Sequence, residues 1–175
     1  MNRYVCLLRG INVSGKNKIL MKELVVMFEH LGFLNVVSYI QSGNVSFDSD
    51  EADKTHLEEA ISNGIRSQFG YEVKSFVRTK VQIRELLDRC PYSIAKLKEN
   101  EQLYFSLLDS PRKDDDISLE IRAKTEDEFA IVDDTIYIIC RNGYGNTLLS
   151  NNFFEKKLKT AATTRNLATM LKLSE

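Results

Sequence analysis

The chain has 175 residues, of which 43% are hydrophobic, and its formal net charge at pH 7 is −1. This composition argues against intrinsic disorder and supplies enough apolar side chains for one compact core or two small ones. No run of residues is long enough to span a bilayer and the N-terminus lacks a signal-peptide pattern, so we expect a cytoplasmic protein without a membrane partner.

Positive charge is concentrated at the two ends of the sequence. Residues 1–22 contain five Lys or Arg and no acidic residues, residues 141–175 contain six against two, and the rest contains thirteen against twenty-three. If the fold brings the two ends together, they form one basic region on an acidic body. The alternative is an ordinary fluctuation of charge along the chain.

The three cysteines, Cys6, Cys90 and Cys140, are widely spaced. An odd number at such spacing is typical of reduced thiols rather than of a disulfide framework. We expect all three to be buried and reduced.

Hydrophobic periodicity predicts the order β-α-β-β-α-β in the first half. The predicted strands cover residues 3–8, 35–40, 44–48 and 73–78, and the predicted helices follow apolar stripes at residues 20–31 and 57–69. Ser42-Gly43 is predicted to form a tight hairpin turn. This element order is that of the split βαβ or ferredoxin-like unit.

The second half repeats this order after a helix that Thr79 is predicted to cap. Strands are predicted at residues 102–108, 128–132 and 135–140, and helices at about residues 114–124 and 152–159. Where a fourth strand is expected, residues 163–166 lead into a last helix.

We therefore predict an α+β protein with two ferredoxin-like (split βαβ, α/β-plait) halves. The predicted domains are residues 1–79, a helical connector at residues 80–100, and a βαββα half with an extra C-terminal helix at residues 101–175. A single mixed sheet with helices on one side is the alternative.

The loop after the first strand has the composition of an anion site. Gly10 and Gly15 permit positive φ angles and close backbone approach, while Arg9, Lys16 and Lys18 supply positive charge beside the free N–H groups of a helix start. If chemistry occurs, Lys16 is the candidate acid or base, because neighbouring cations disfavour its ammonium form.

The predicted topology brings a second segment to this loop. A right-handed crossover makes the first two strands parallel, with the third between them, so the loop and the turn at residues 41–44 share one edge of the sheet. Ser, Gly and Asn are common in turns for backbone reasons alone. For the joint cluster we favour a ligand site that combines cations with amides and hydroxyls, formed by Arg9, Asn12, Lys16, Gln41, Ser42 and Asn44.

A P-loop is the competing interpretation of the same residues. Gly10 and Gly15-Lys16 have its spacing, and residues 104–109 imitate the apolar strand that ends in a magnesium-binding aspartate. However, Asn17 stands where Ser or Thr should contact the metal, and the helix begins too late for Lys16 to lie at its N-terminus. We therefore predict no NTPase.

The C-terminal segment predicts a second anion-binding corner. Thr164 is a candidate N-cap, which would leave the backbone N–H groups around Arg165 and Asn166 free at the positive end of a helix. The alternative is an ordinary capped helix that packs its apolar face into the core.

Three blocks of the sequence are long enough to be compared with known families. They are residues 9–18, residues 39–45, and residues 163–166 together with Thr169, Lys172 and Leu173. These blocks resemble the signature of the bacterial family called domain of unknown function 1697, and the resemblance covers essentially the whole chain. It implies a two-part α+β fold built from ferredoxin-like units and no established activity.

Two residues depart from the pattern of that family. Leu167 stands where an aromatic residue, often Trp, follows the Arg-Asn pair, so the resemblance supplies no stacking side chain there. Leu20 stands where a proline is common, which affects only how the first helix starts.

Conventional catalytic and metal-binding patterns are missing from the sequence. His30 and His56 are the only histidines, and neither has a partner at metal-ligand spacing. Residues 114–116 are three consecutive aspartates, which at a helix N-terminus usually compensate the helix dipole. We predict no metal site and no required cofactor.

Two functions from different classes remain. The favoured one is binding of a small anion, such as a nucleotide, a sugar phosphate or a carboxylate, in a basic pocket between the halves. The alternative is a nucleic-acid or protein-binding module that uses the sheet, although the strands show only scattered aromatics: Tyr4, Tyr39, Phe47 and Phe76.

Overall fold

The computed structural model describes residues 1–111 and 125–175. These residues form two compact units, Met1–Ile83 and Arg84–Glu175. Each unit contains its own four-stranded antiparallel sheet, so the alternative of a single mixed sheet is wrong. The α+β class and the two-part organisation predicted from the sequence are confirmed.

The first unit has its elements in the predicted order. They are β1 (Asn2–Leu8), α1 (Met21–His30), β2 (Leu34–Tyr39), β3 (Asn44–Ser49), α2 (Lys54–Phe69), β4 (Ser75–Thr79) and the start of α3 (Lys80–Asp88). The sheet order is β2-β3-β1-β4, and each pair of neighbours is antiparallel. Consequently β1 and β2 run parallel with β3 between them, as the crossover rule predicts.

Aromatic side chains fill the centre of the first core. Phe47 packs against Phe33, Phe28 and Tyr4, with ring centroids 4.4, 5.5 and 5.7 Å apart. Tyr4 alternates along β1 with Cys6 and Leu8, so one face of the strand points into this core. The helices contribute their apolar stripes from the other side, as the periodicity predicts, through Leu24, Phe28, Ile61 and Ile65.

The helices of this unit begin at side-chain caps where the sequence offers them. Asp53 accepts bonds from the backbone N–H groups of Thr55 and His56 at the start of α2. Thr79 and Gln82 bond each other's backbone N–H groups at 3.1 and 2.8 Å, which is a capping box. The prediction that Thr79 caps the third helix is therefore confirmed.

The second unit repeats the strand arrangement. After a 3-10 turn at Ile94–Lys96 come β5 (Gln102–Leu108), β6 (Glu128–Val132), β7 (Thr135–Cys140), a 3-10 turn at Tyr144–Asn146, α4 (Asn151–Leu158), β8 (Ala162–Asn166) and α5 (Leu167–Ser174). The sheet order is β6-β7-β5-β8. The helix predicted near residues 114–124 lies outside the described residues.

The fourth strand of this unit does form. Thr163, Thr164 and Arg165 pair with β5, and Arg165 lies opposite Phe105. The prediction that Thr164 caps the last helix is wrong, because Asn166 holds that position and accepts a bond from the Thr169 N–H at 2.9 Å. Two β-branched threonines favour the pleated strand over a helix start.

The same strand-pairing register is found within each unit, between β1 and β4 and between β5 and β8. Leu8 lies opposite Ser75 and Leu108 lies opposite Ala162. The N–H groups of the next residues, Arg9 and Asp109, donate at 2.9 and 3.0 Å to the carbonyls of Lys74 and Ala161, which directly precede the edge strands β4 and β8. The pairing of β1 with β4 is therefore equivalent to that of β5 with β8, although the charge on the residue after the strand changes sign.

No helix in the described parts of the chain has the length and apolar character that crossing a membrane requires. All three cysteines are free thiols, and Cys6 and Cys140 are buried, as predicted. Cys90 is only partly buried.

We predict that Tyr137 makes the second unit sensitive to alkali. Tyr137 is fully buried and donates its hydroxyl to the Leu86 carbonyl at 2.8 Å, and burial raises its pKa to about 12. Since the folded state holds this proton more tightly, the free energy of unfolding should be constant below about pH 10 and fall by about 2–3 kcal/mol as the pH rises to about 12. Urea unfolding over this range measures the loss.

Tyr137→Phe should remove that pH dependence and cost about 1 kcal/mol at neutral pH through the lost hydrogen bond. Burial also raises the pKa of Cys140 to about 11, so both proteins should be compared in a Cys140→Ala background. Equal alkaline losses with and without the Tyr137 hydroxyl would contradict the prediction.

Candidate functional site

The loop between β1 and α1 lies beside the connection between β2 and β3. The Leu8 N–H donates to the Gly43 carbonyl at 2.8 Å, which joins the end of β1 to this connection. The prediction that the two segments share one edge of the sheet is confirmed. We call residues 9–18 the cationic loop.

One side-chain amide holds the cationic loop in place. Asn12 donates through Nδ2 to the carbonyls of Ile19 and Gln41, both at 2.9 Å, and accepts through Oδ1 from the Ile19 N–H at 2.9 Å. Both of its amide hydrogens are therefore used by the backbone. Asn12 organises the site, and its N–H groups are not available to read a ligand.

The tip of the loop is a tight turn that carries the lysines. The Lys16 N–H donates to the Val13 carbonyl at 2.9 Å, and both central residues, Ser14 and Gly15, have positive φ, of 49° and 77°. This is the signature of a type I′ turn. Lys18 folds back over it, since its Cε lies 4.0 Å from the position that a Cβ on Gly15 would take.

The cations of this region face solvent. Lys16, Lys18 and Lys22 are exposed, and within the described residues none has an acidic partner. Arg9 is only partly exposed, and its backbone N–H donates to the Lys74 carbonyl at 2.9 Å. The exposed positive charge at this end of β1 is therefore that of the lysines between β1 and the first turn of α1.

The β2–β3 connection differs from the predicted tight hairpin. It has four residues, because Ile40 adopts a φ of 50° and leaves the strand one residue early. Asn44 is fully buried and donates to the Tyr39 carbonyl at 3.1 Å and to the Ser42 hydroxyl at 3.0 Å. Asn44 and Ser42 therefore build the turn, while Gln41 is exposed beside the loop.

Gly43 is closely packed against its neighbours at this edge of the sheet. Its φ is +77°, and a Cβ added there would lie 2.8 Å from both Leu8 Cβ and Ile11 Cδ1. Gly10 also has a positive φ, of 70°, but no atom lies within 4 Å of an added Cβ. Of these two glycines, Gly43 is required by packing and Gly10 by backbone conformation alone.

The C-terminal candidates are engaged within the second unit. Thr164 donates to the Asn151 carbonyl oxygen at 2.6 Å, and Arg165, only 7% exposed, donates to the Thr163 hydroxyl at 2.9 Å and the Thr164 carbonyl at 2.8 Å. Asn166 is exposed and caps α5. That these three residues complete the site near residue 10 stays a prediction.

Two cavities in the second unit were not predicted. One, of about 410 Å³, is bordered by Tyr92 and residues 125–130. The other, of about 320 Å³, lies between the start of β5 and the start of α5 and includes Asn166 and Leu167. Their walls combine residues from separate elements, which periodicity along the chain does not reveal.

The P-loop interpretation fails on geometry. Lys16 lies in the type I′ turn, and α1 begins only at Met21. The sheet is antiparallel rather than the parallel sheet that carries a P-loop. A role for Lys16 as acid or base stays a prediction.

Comparison with known proteins gives a family and a fold. Residues 1–137 match the family described as "Protein of unknown function (DUF1697)". The structure is similar to that of the conserved bacterial protein SP0830 from Streptococcus pneumoniae, with a TM-score of 0.72 and 24% sequence identity over 99% of this chain and 97% of that chain. The search of curated proteins finds no match.

We predict that Gly43→Ala is far more damaging than Gly10→Ala. Both place a side chain at positive φ, which costs about 1–2 kcal/mol, but only Gly43→Ala adds contacts too short to tolerate, for a further 1–3 kcal/mol or so. Urea unfolding of the two variants measures the difference. Equal losses of stability would contradict the close packing at Gly43.

We also predict that Asn12→Ala loosens the cationic loop. Losing three hydrogen bonds should lower the free energy of unfolding by about 2–4 kcal/mol and speed tryptic cleavage after Lys16 and Lys18. Mass spectrometry of the fragments locates the cuts. Asn100→Ala, at an exposed turn, is the control, and unchanged cleavage in the Asn12 variant would show that the amide does not hold the loop.

Proposed function

The chain belongs to the DUF1697 family of proteins of unknown function, and we propose that it binds a small anionic ligand at the cationic loop of its first unit. The ligand classes that fit are a nucleotide, a sugar phosphate or a carboxylate. We also infer that each half is a ferredoxin-like unit, an inference supported by the strand order in each sheet.

The supporting observation is a preformed turn with uncompensated lysines. The amide of Asn12 fixes the loop, so a ligand does not have to order it on binding. Lys16 and Lys18 lie on one turn and have no acidic partner among the described residues. Exposed ammonium groups on one short loop favour the binding of a phosphate or a carboxylate.

The start of α1 adds backbone donors to the same end of the unit. Leu20 holds the N-cap position of this ten-residue helix and its side chain supplies no cap hydrogen bond, although the Glu23 N–H donates to the Leu20 carbonyl at 2.9 Å. Free N–H groups at a helix N-terminus favour anions. Glu23 in the first turn offsets part of this field.

A nucleic-acid module is the second candidate, because an exposed lysine turn also attracts a phosphate backbone. Stacking platforms on the sheet do not support it. Tyr4 and Phe47 stack on each other in the first core, at 5.7 Å, and Phe76 is 1% exposed. Recognition by base stacking would need such rings to be open to solvent.

We predict that inorganic pyrophosphate raises the melting temperature of the protein and that Lys16→Ala/Lys18→Ala abolishes this shift. A ligand at one hundred times its Kd stabilises the folded state by about 2.7 kcal/mol, which thermal unfolding detects readily. The shift should weaken with added salt, since the lysines are exposed.

The matched control is Lys96→Ala/Lys156→Ala, which removes the same charge from exposed positions in the second unit. This variant should keep the full shift. Retention of the shift in the Lys16/Lys18 variant would place the site elsewhere. No shift with phosphates or carboxylates, together with steeply salt-dependent binding to single-stranded RNA, would favour the second candidate.

A further inference from the structure

We propose that the ligand of the cationic loop is a small phosphate ester with a flat apolar body, such as an aromatic ring or a base. This inference rests on the proposed function and names the class of ligand. It is carried by three large apolar side chains that lie exposed around the loop, Val13, Leu20 and Ile40.

One amide group joins the backbone segments that carry these side chains. Asn12 bonds the carbonyls of Ile19 and Gln41 at 2.9 Å each, so three separate backbone segments meet at its side chain. The residue next to each of these segments is apolar, and these neighbours are Val13, Leu20 and Ile40.

About half of each of these three side chains is open to solvent. Val13, Leu20 and Ile40 are 56%, 57% and 49% exposed. Single exposed apolar residues are normal on protein surfaces, but here three lie on joined backbone segments beside exposed lysines, and apolar surface next to such charge is typical of a binding site. The hydrogen bonds of Asn12 hold these backbone segments in place before a ligand binds.

Charge and apolar surface together define the ligand. Lys16 closes the turn that begins at Val13, and Lys18 folds back over this turn, so a phosphate on the lysines leaves the rest of the ligand over the apolar patch. A sugar would leave that patch wet, whereas a ring would remove apolar area from water on both partners. The site should therefore prefer aromatic phosphates to sugar phosphates.

The neighbouring charge favours a compact ligand over an extended polyanion. Glu23 lies in the first turn of α1, and its N–H bonds the carbonyl of Leu20, so a carboxylate borders the patch. A bilayer or a nucleic-acid strand that covered the patch would also meet this negative charge. A mononucleotide-sized ligand does not extend so far.

Titration calorimetry with phenyl phosphate, ribose 5-phosphate and inorganic phosphate tests the proposal. Phenyl phosphate should bind about tenfold more tightly than ribose 5-phosphate, a difference of about 1.4 kcal/mol. Val13→Ser/Leu20→Ser/Ile40→Ser should lose this preference and keep its affinity for inorganic phosphate. The double variant Val13→Ser/Ile40→Ser serves if the triple variant is unstable.

The control is Val26→Ser/Leu34→Ser/Val81→Ser, which removes side chains of similar exposure, 43%, 50% and 59%, from the same unit and should keep the preference. Equal affinity for both esters, with inorganic phosphate still bound, would overturn this inference and leave the proposed function standing. Failure of all three ligands would overturn both. Binding to phosphatidylserine vesicles or single-stranded RNA that the triple serine variant loses would assign the patch to an extended polyanion instead.

Discussion

The side-chain amide of Asn12 is the contact on which the candidate site depends. It joins the loop after β1, the approach to α1 and the β2–β3 connection, using two donors and one acceptor. Asn12 adopts a φ of 54°, which few residue types tolerate, so this position needs both the shape and the hydrogen bonding of asparagine. Without this contact, the lysine turn and the surrounding side chains would have no fixed relation to one another.

The strands and helices could be predicted from hydrophobic periodicity, because burial of one face of an element imposes that periodicity on its sequence. The bounds of β5, β6 and β7 match those predicted, since each strand is a short apolar run between turn residues. The topology also followed, because a right-handed crossover leaves few arrangements. These rules alone are enough to predict that the cationic loop lies beside the β2–β3 connection.

Predictions from neighbouring residues alone failed where contacts between distant parts of the chain compete with local preferences. Thr164 has good capping chemistry, yet it lies in β8 because a strand partner on β5 is available. Asn12 and Asn44 were predicted to contact a ligand, but their amides bond the backbone. A side-chain amide can bond either a ligand or the backbone, and the positions of carbonyls from distant parts of the chain decide which of the two it bonds. The apolar patch was missed because its three members are far apart in the sequence.

The shared register of the two sheets has a consequence for how such proteins are compared. Tyr4 and Tyr104 are equivalent by their pairing partners, as are Arg78 and Arg165, while the residues that follow β1 and β5 are Arg9 and Asp109. Hydrogen-bond geometry is thus the same at these positions, whereas side-chain identity is kept at only some of them. An alignment of the two halves by strand-pairing register therefore matches positions that an alignment by residue identity alone would miss. An ancient tandem gene duplication would leave such a pattern.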